Sequence, residues 1–237
     1  MSLATDSVQS APRRSVRSFV RRQGRLTPGQ QRALAQYWSR YGLKLSARAV
    51  DLDTVFNRRA PCVVEIGFGM GDALLELASR YPGNNYLGIE VYQPGVGSLL
   101  RRLAASHLEH VRVISEDATV VMQQMIADQS LDAVYLFFPD PWPKKRHHKR
   151  RLVQHDFVTL LLRKLRPGGV FHMATDWQDY ARHMLQVVAQ HRNFVNLAGE
   201  GRFSPRPLYR PLTRFEQRGR RLGHEVYDLV WLRQAGP

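Results

Sequence analysis

The stretch that decides the fold is residues 62–72, which read Cys-Val-Val-Glu-Ile-Gly-Phe-Gly-Met-Gly-Asp. A short, mostly apolar run is followed by three glycines, Gly67, Gly69 and Gly71. The next residues, 73–78, follow an apolar pattern typical of a helix. Glycine has no Cβ and tolerates positive φ, so a loop of this kind lets the backbone approach a ligand closely. The stretch therefore predicts a strand–loop–helix unit with a binding site at its loop.

An acid at the loop entrance limits which ligand can bind there. Glu65 precedes glycines spaced G-x-G-x-G, whereas dinucleotide-binding loops have the spacing G-x-G-x-x-G. A pyrophosphate needs bare N–H groups at a helix N-terminus, and a carboxylate beside them would repel it. A cationic, hydroxyl-rich ligand fits better, and S-adenosylmethionine carries a sulfonium, an ammonium and a ribose. Because a glycine-rich loop alone has low specificity, the rest of the chain must support this ligand.

The 237-residue chain has a formal net charge of +15, and the charge is unevenly placed. Residues 1–60 hold 12 Lys and Arg against 3 acids, residues 61–143 hold 4 against 10, and residues 144–237 hold 19 against 7. An acidic centre between two basic segments suggests a cation-binding pocket inside a surface for a polyanion. Solvated surface charge would explain one basic run, but it is a weaker explanation for two runs that flank an acidic centre.

Signals for targeting are few. The first 22 residues are polar and Arg-rich and lack the apolar core of a secretory signal. Their composition suits either a transit peptide or a nucleic-acid-binding arm. No run approaches the roughly 20 apolar residues that a membrane helix needs. The one cysteine, Cys62, cannot form an internal disulfide, which agrees with the reducing cytoplasm where we expect the protein to act.

The organisation of the chain follows from its hydrophobic patterns. We expect residues 1–30 to be a disordered basic arm, residues 31–60 a helix and linker, and residues 61–237 one domain with basic insertions at 144–151 and 200–222. Strands alternate with helices, which predicts an α/β fold with a doubly wound, Rossmann-like sheet. The sheet should be mostly parallel with a C-terminal antiparallel edge pair. The predicted strands are 62–66, 85–90, 111–115, 132–138 and 170–175, with the edge pair at 194–196 and 225–232. The predicted helices are 30–45, 73–80, 96–107, 118–127, 154–165 and 177–190.

Four acids fall at the ends of consecutive predicted strands: Glu65, Glu90, Asp117 and Asp140. Ligands of open α/β sheets lie beyond the carboxyl ends of the strands. Glu90 follows the glycine loop by about 20 residues, the spacing at which an acid accepts hydrogen bonds from ribose hydroxyls. Asp117 could accept from the exocyclic amine of adenine. Taken singly, each acid is more often a helix N-cap or a solvated turn. Together they predict a pocket for an adenosine-containing ligand.

The predicted strand 132–138 ends in Pro139-Asp140-Pro141-Trp142-Pro143. The two prolines that flank Asp140 stiffen the loop and hold its carboxylate above the sheet. Residues 144–151 follow, with six Lys or Arg and no acid. A basic run beside a pocket and next to an aromatic suits a phosphate backbone whose base enters the site. Trp142 could equally well cover the core.

These motifs resemble those of the bacterial tRNA (guanine-N7)-methyltransferase family. The similarity runs over about residues 19–231, and the Pro-Asp-Pro-Trp block is its most specific part. The resemblance implies a class I S-adenosylmethionine-dependent methyltransferase fold and methylation of the variable-loop guanosine of tRNA. The motifs that carry it are Glu65-Ile66-Gly67-Phe68-Gly69-Met70-Gly71, Gly88-Ile89-Glu90-Val91, Phe137-Phe138-Pro139-Asp140-Pro141-Trp142, Ala174-Thr175-Asp176 and Thr213-Arg214-Phe215-Glu216.

The glycine loop and the resemblance together assign roles to residues. The cofactor-binding set is Glu65, Gly67, Gly69, Gly71, Glu90, Asp117 and Asp140. The substrate-binding set is Lys144, Asp176, Thr213, Arg214, Phe215 and Glu216. The RNA-contacting set is Arg146, His147, His148, Lys149, Arg150 and Arg151. Asp140 is the predicted catalytic residue, and we assign no metal ligands. We expect tRNA as the partner, no association with a membrane, and a monomer or homodimer.

The reaction that the resemblance implies needs no base, because guanine N7 carries a lone pair and no proton. The protein must instead orient the base and stabilise the positive charge that it acquires. Carboxylates aimed at the guanine N1–H and N2 amine would do both, and Asp140, Asp176 and Glu216 are the candidates.

Three positions depart from the usual family pattern. They are Tyr92 in place of His, Pro143 in place of a residue that is often His, and His148 in place of Asn. None of them removes a predicted functional residue, so they bear on fine RNA contacts. Two alternatives stay open: a methyltransferase acting on another RNA nucleotide, and a non-catalytic RNA-binding protein with a relict pocket.

Overall fold

An eight-stranded sheet organises residues 24–235, the part of the chain that the computed structural model describes. The strands are β1 Gly42–Leu43, β2 Cys62–Ile66, β3 Asn85–Ile89, β4 Val111–Ile114, β5 Leu131–Phe137, β6 Leu165–Thr175, β7 Phe194–Asn196 and β8 Tyr227–Arg233. The helices are α1 Pro28–Tyr41, α2 Leu52–Phe56, α3 Asp72–Arg80, α4 Gln93–Ala105, α5 Ala118–Gln124, α6 His155–Lys164, α7 Gln178–Ala189 and α8 Arg214–Arg221, with a 3₁₀ helix at Lys145–Arg150.

The strand order is β1-β4-β3-β2-β5-β6-β8-β7. Strands β1 to β6 pair in parallel, whereas β8 is antiparallel to both β6 and β7. This confirms the predicted mostly parallel α/β sheet with an antiparallel C-terminal edge. The chain winds outward from β2 first through β3 and β4, and then in the other direction through β5 and β6. The end of β2 is therefore the topological switch point, where ligands bind in sheets of this kind.

Both faces of the sheet are covered by helices. All five residues of β2 and all five of β3 are buried, as expected for parallel strands covered on both sides. Alternating residues of β2 face opposite layers. Val63 packs in the layer that includes residues of α1, α3 and α4, and Val64 packs in the layer with residues of α5, α6 and α7. Glu65 shares the face of Val63 because side chains alternate along a strand.

The segment before β2 adds to this sheet. Thr27 accepts a hydrogen bond from the N–H of Gln30, whose side chain accepts in return from the N–H of Thr27, so a capping box starts α1. Helix α1 packs on α4, where an added Cβ at Gly97 would come within 2.9 Å of the Gln30 carbonyl oxygen. Residues 31–60, predicted as a helix and linker, contribute most of α1, the edge strand β1 and the short helix α2, while α1 begins at Pro28, within the segment predicted as a disordered arm. Residues 1–23 of the predicted arm lie outside the described residues.

The remaining differences from the sequence prediction are local. Strand β6 begins at Leu165, earlier than the predicted 170, and residues 166–169 form a bulge in it, because Leu131 pairs with Leu165 whereas Ala133 pairs with Val170. Helix α8 and the 3₁₀ helix fall in segments predicted only as basic insertions. Among residues 24–235, none of the helices has the length and apolar character needed to cross a bilayer.

Candidate active site

The glycine loop joins β2 to α3 and is shaped by backbone contacts. Its glycines all have positive φ, at 71° for Gly67, 55° for Gly69 and 78° for Gly71. The start of α4 lies directly against the loop, since a Cβ added at Gly95 would come within 1.9 Å of the Gly69 carbonyl oxygen. A Cβ on Gly69 would meet nothing within 4 Å, so this position faces open space. Gly69 therefore presents bare backbone to whatever binds there.

Glu90, at the end of β3, holds this loop. Its Oε2 accepts a 2.7 Å hydrogen bond from the Gly69 N–H. Its Oε1 accepts from the N–H groups of Val91 at 2.7 Å and Tyr92 at 2.9 Å. Burial raises the pKa of the Glu90 carboxyl, and these three backbone donors oppose that rise. Oε2 accepts only one of these bonds and keeps a second lone pair, so Glu90 can also accept from a ligand hydroxyl.

Glu65, at the end of β2, is a buried acid that forms no ion pair with a cation among the described residues. Only 3% of the residue is exposed, and Oε2 is buried without a hydrogen-bond partner among residues 24–235. Burial, with the charges of Glu90 and Asp72 adding to it, raises the pKa of Glu65 to about 8. A cationic group beside Glu65 would reverse this effect, because an opposite charge favours the ionised carboxylate.

Two cavities meet at the loop. The first, of about 560 Å³, is lined by Gly24, Ile66, Glu90, Tyr92, Glu116 and Ala118 among others. The second, of about 1180 Å³, includes Glu65, Ser98, Arg101, Asp176, Trp177 and Phe215 in its wall. The residues that line both are Gly67, Gly69, Met70, Tyr92, Phe138, Pro139 and Asp140. A group bound in one cavity would therefore face a group bound in the other across the glycine loop and Asp140.

The loop that carries Asp140 is held in an unusual backbone conformation. Phe138 and Trp142, on either side of the Pro139–Pro141 segment, have φ of 52° and 46°. Bulky residues rarely adopt positive φ, and such positions cluster at functional sites. The Phe138 N–H donates to the Ala174 carbonyl at 2.7 Å, which ties the loop to β6. Asp140 itself is exposed between these anchors.

Arg151 requires a correction to the sequence prediction. We predicted an RNA contact, but the Arg151 side chain is only 1% exposed. Its Nε donates to the Pro141 carbonyl at 2.9 Å, and its Nη2 lies 2.5 Å from Asp179 Oδ2. The guanidinium also lies 4.9 Å from the centroid of the Tyr180 ring. Arg151 therefore anchors the Asp140 loop to α7, and it has no surface left for a phosphate.

Residues 145–150 of the basic run form the 3₁₀ helix, in which Lys145, Arg146 and Lys149 are exposed. Lys144, which precedes the helix, is exposed as well. Trp142 does not belong to either core cluster. The Arg150 guanidinium lies 4.6 Å from its ring centroid, and the His147 ring meets it edge-on at 6.0 Å. Trp142 thus holds the basic helix against the Asp140 loop.

The predicted substrate-binding residues separate into two groups. Asp176, Thr213 and Phe215 line the second cavity, where the Phe215 ring packs at 5.1 Å from Phe138. Lys144 is exposed and lies outside both cavity walls, while Arg214 begins α8 with a side chain outside the described set. Thr213 also accepts from the Glu216 N–H at 3.1 Å, so it caps α8.

Two predicted acids interact with other residues of the protein: one caps a helix and the other forms a buried ion pair. Asp117 is the N-cap of α5, since its Oδ1 accepts from the Thr119 N–H at 2.8 Å, and its neighbours Glu116 and Ala118 line the first cavity. Glu216 is 1% exposed and pairs with Arg210, away from both cavities. The structure therefore brings together Glu65, Glu90, Asp140 and Asp176, and it leaves Glu216 inside the protein.

Sequence reasoning missed several residues of the cavity walls. Arg101, Trp177 and His224 line the second cavity, and Gly24 lines the first beside Tyr92. Arg101 and Arg102 face the same cavity as Ser98 because residues three and four apart share a helix face. Trp177 directly follows the Ala174-Thr175-Asp176 motif, and this position was the available signal. No local pattern marked Arg101.

Comparison with solved structures identifies the class of fold. The 16S rRNA methyltransferase KamB matches with a TM-score of 0.57 and 14% identity, covering 79% of this chain and 95% of that one. A 16S rRNA (adenine(1408)-N(1))-methyltransferase from Catenulisporales acidiphilia matches with a TM-score of 0.56 and 15% identity, covering 81% and 98%. The sheet order and the glycine loop at its switch point agree with these structures and place the chain in the class I methyltransferase fold.

Sequence comparison then narrows the class. A family described as "Putative methyltransferase" matches residues 59–229. A "tRNA (guanine-N(7)-)-methyltransferase" of Hydrogenovibrio crunogenus is 53% identical over 98% of this chain and 96% of its own length. One from Stutzerimonas stutzeri is 55% identical over 97% of both chains. The chain belongs to the tRNA (guanine-N7)-methyltransferase family.

Proposed function

We propose that this protein transfers a methyl group from S-adenosylmethionine to N7 of the variable-loop guanosine of tRNA. The observation that carries the proposal is the junction of the two cavities at the glycine loop and Asp140. Methyl transfer needs a donor and an acceptor that face each other at contact distance, and a wall shared by two cavities provides that arrangement.

Residues around the glycine loop fit the cofactor. Glu90, in the first cavity, can accept from the ribose hydroxyls, and Gly67 and Gly69 leave backbone open to the ligand. Glu65, in the wall of the second cavity just before the loop, offers a buried carboxylate with one oxygen that has no partner among the described residues, which suits the positively charged part of a ligand that lies along the loop. When bound, S-adenosylmethionine supplies an electrophilic methyl group on a sulfonium. Asp117 remains a prediction as a contact to the adenine, because its described hydrogen bond is the helix cap.

The second cavity suits a purine base. Phe138, Trp177 and Phe215 supply aromatic faces, and Trp177 is 41% exposed. Bases that leave a stack are commonly held between aromatic side chains and read along their edges. Asp140 and Asp176 are the acids of this cavity that can accept from the guanine N1–H and N2 amine. Such contacts select guanine over adenine, because adenine carries no proton at N1.

Asp140 orients the base and stabilises its charge. Guanine N7 has no proton to lose, so no general base is required for its attack on the methyl carbon. The purine becomes cationic as the new bond forms, and a fixed carboxylate nearby interacts more favourably with the cation than with the neutral base. The backbone anchors at Phe138 and Arg151 keep this carboxylate in place before the base arrives.

Basic residues on two sides of the site suit the phosphate backbone of RNA. Lys144, Lys145, Arg146 and Lys149 lie on the exposed face of the segment that follows the Asp140 loop. Arg101 is an exposed cation in the wall of the second cavity, whose acids include Asp140 and Asp176. Its position suits a phosphate next to the guanosine that enters the cavity. The partner we propose is tRNA, encountered in the cytoplasm by a monomer or homodimer.

The proposal is tested by methylating unmodified tRNA in vitro with radiolabelled cofactor, followed by mass-spectrometric mapping of the nucleosides. We expect 7-methylguanosine at the variable loop, and no label in a transcript whose variable-loop guanosine is replaced by adenosine. Label on a different nucleotide would contradict the assigned position. Cofactor binding without any transfer to tRNA would support the alternative of a non-catalytic RNA-binding protein.

A further inference from the structure

Helix α8 has an unusual relation to the rest of the protein. It carries Phe215 and follows Thr213, and both line the second cavity. Among its side chains that the structure describes, only Glu216 is buried, and the sequence Arg-Phe-Glu-Gln-Arg-Gly-Arg-Arg is polar nearly all round. A short helix without an apolar face gains little from packing and is marginal by itself. Something other than hydrophobic packing must hold α8 beside the cavity.

Arg210, a residue of the loop before α8, holds the helix beside the cavity. Its side chain is 1% exposed, and so is the Glu216 residue with which it pairs. Arg210 Nη1 donates to Glu216 Oε2 at 2.5 Å, and Nη2 donates to Oε1 at 3.0 Å. This bidentate geometry is the strongest form of an arginine–carboxylate pair. It joins the only described buried side chain of the helix to a fixed point in the protein.

The fixed point lies on the central sheet. Arg210 Nη2 also donates to Asp228 Oδ2 at 3.0 Å, and Asp228 is a buried residue of β8. Asp228 Oδ1 lies 2.8 Å from Nε2 of His172 on β6, and the Tyr209 hydroxyl lies 2.9 Å from His172 Nδ1. Burial lowers the pKa of His172, so the ring is neutral, donates from Nε2 to Asp228 and accepts from Tyr209. The network therefore ties residues 209–210 to both strands.

The arrangement gives Glu216 a different role from a direct contact to guanine. Both of its oxygens are engaged by Arg210, and Oε1 is also 2.9 Å from Arg220 Nη2 on the solvent side. Its side chain is fully buried, and neither cavity includes it. Moving it to a ligand would leave Arg210 buried with one carboxylate fewer, which is costly.

We propose that Arg210 is a positioning residue that holds α8, through Glu216, at the edge of the substrate cavity. The Arg210 guanidinium also lies 5.8 Å from the centroid of the Phe138 ring, which packs against Phe215. One buried cation thus sets the relation between the Asp140 loop and the helix on the opposite wall. Its effect on turnover rests on the proposed function, but its effect on α8 does not.

The experiment compares Glu216→Gln with the wild-type protein by amide hydrogen exchange, without any ligand. Glutamine keeps the size of the side chain, and Asp228 still neutralises Arg210, so the sheet should keep its protection. Exchange in peptides covering 213–222 should become about 10- to 100-fold faster, the scale of losing hydrogen bonds between charged groups. Arg220→Ala is the matched control, because it removes the partly exposed partner from the same helix, and exchange there should change by less than about threefold.

Methylation assays then separate positioning from substrate contact. In Glu216→Gln we expect KM for tRNA to rise about tenfold or more, with cofactor affinity unchanged, because none of the residues assigned to the cofactor belongs to α8. Impaired methylation with normal exchange in 213–222 would overturn the proposal, because Glu216 would then act on the substrate directly. If Glu216→Gln showed faster exchange in 213–222 but the wild-type protein methylated no tRNA, the positioning role would hold and the proposed function would be contradicted.

A second variant, Glu216→Asp, separates a local effect on α8 from a general loss of stability of the domain. It keeps a charge beside Arg210 but shortens its reach, so the same local change should appear at smaller amplitude. If exchange instead accelerated throughout β6 and β8 in both variants, the network would be part of the general stability of the domain, and the specific role for α8 would be wrong.

Discussion

The backbone N–H of Gly69 donates a 2.7 Å hydrogen bond to Glu90 Oε2, and this contact joins the glycine loop of β2 to the end of β3. The same carboxylate accepts from Val91 and Tyr92, so it organises the turn after β3 as well. Glu90 therefore has two effects on a ligand: its Oε2 offers a remaining lone pair, and the carboxylate shapes the loop that the ligand approaches.

Replacing Glu90 with alanine should weaken cofactor binding. The variant loses both the acceptor for the ribose hydroxyls and the bond to Gly69, and one such charge-assisted contact contributes about 1.5–3 kcal/mol. The dissociation constant for S-adenosylmethionine, measured by calorimetry, should rise about 10- to 150-fold. Glu76→Ala is a suitable control, because Glu76 forms an exposed pair with Arg80 on α3, away from both cavities. Equal affinities in the two variants would exclude the assigned role of Glu90.

The buried Glu65 should make stability depend on pH. Burial raises its pKa from 4.5 to about 8 in the folded protein, whereas the unfolded chain ionises near the ordinary value. Below both values there is no penalty; between them the unfolded state releases its proton first, so the free energy of unfolding falls as pH rises. The limiting slope from this group is about 1.4 kcal/mol per pH unit.

Glu65→Gln removes this group, so urea denaturation between pH 5 and 8 should show a smaller fall in stability for the variant than for the wild type. Parallel stability curves for the two proteins would contradict the raised pKa. In the wild type, affinity for the cationic cofactor should increase over the same pH range as Glu65 ionises, and the Gln variant should lose that increase.

Neighbouring residues of the basic run should respond differently to substitution. Lys149→Ala should weaken tRNA binding and reduce the slope of log affinity against log salt by about 0.7–0.9 if one phosphate contact is lost. Arg151→Ala should leave that slope unchanged, because the side chain is buried. It should lower stability by about 2 kcal/mol, which corresponds to a fall in Tm of about 4–8 °C. Identical salt effects in both variants would contradict the burial of Arg151.

Arg101 on α4 should contribute to RNA affinity from the other side of the cavity. Arg101→Ala should reduce tRNA affinity, and it should reduce the slope of log affinity against log salt by about 0.7–0.9, the value for one lost phosphate contact. Cofactor affinity should change little. A charge-matched control is Arg192→Ala, which removes an exposed arginine that lines neither cavity. If filter binding at several salt concentrations gave the same result for the two variants, Arg101 would be ordinary surface charge.

The sequence predicted the sheet well, because parallel strands buried on both faces have a strong local signal. The run 62–66 matches β2, and the edge strand 194–196 matches β7. The glycine loop and the acids at strand ends also predicted Glu65, Glu90 and Asp140 at one edge. Helix α8 was missed because its sequence lacks the apolar periodicity that marks a helix, and its position depends on Arg210 and Glu216, which the fold brings together.

The roles within charged segments could not be read from residue type. Arg151 has the same side chain as Arg150 one position before it, yet the fold buries the first against Asp179 and leaves the second over Trp142. Glu216 belongs to a motif that favours a substrate contact, but its carboxylate is turned toward Arg210. Such differences arise from long-range packing, which no local pattern encodes.

The central claim concerns Asp140, and Asp140→Asn tests it most directly. The side chain keeps its size, and the anchors at Phe138 and Pro141 do not involve the carboxylate, so the loop should persist. What is lost is a negative charge beside a base that becomes cationic as the methyl group is transferred.

The decisive measurement is the single-turnover rate of methyl transfer with saturating tRNA and cofactor. We expect this rate to fall about 10²–10³-fold in the Asn variant, the scale of removing one preorganised charge-stabilising group. The affinity for tRNA should change much less, and the wild-type rate should show no requirement for a general base. A near-normal single-turnover rate in Asp140→Asn would contradict the account and would shift the charge-stabilising role to Asp176.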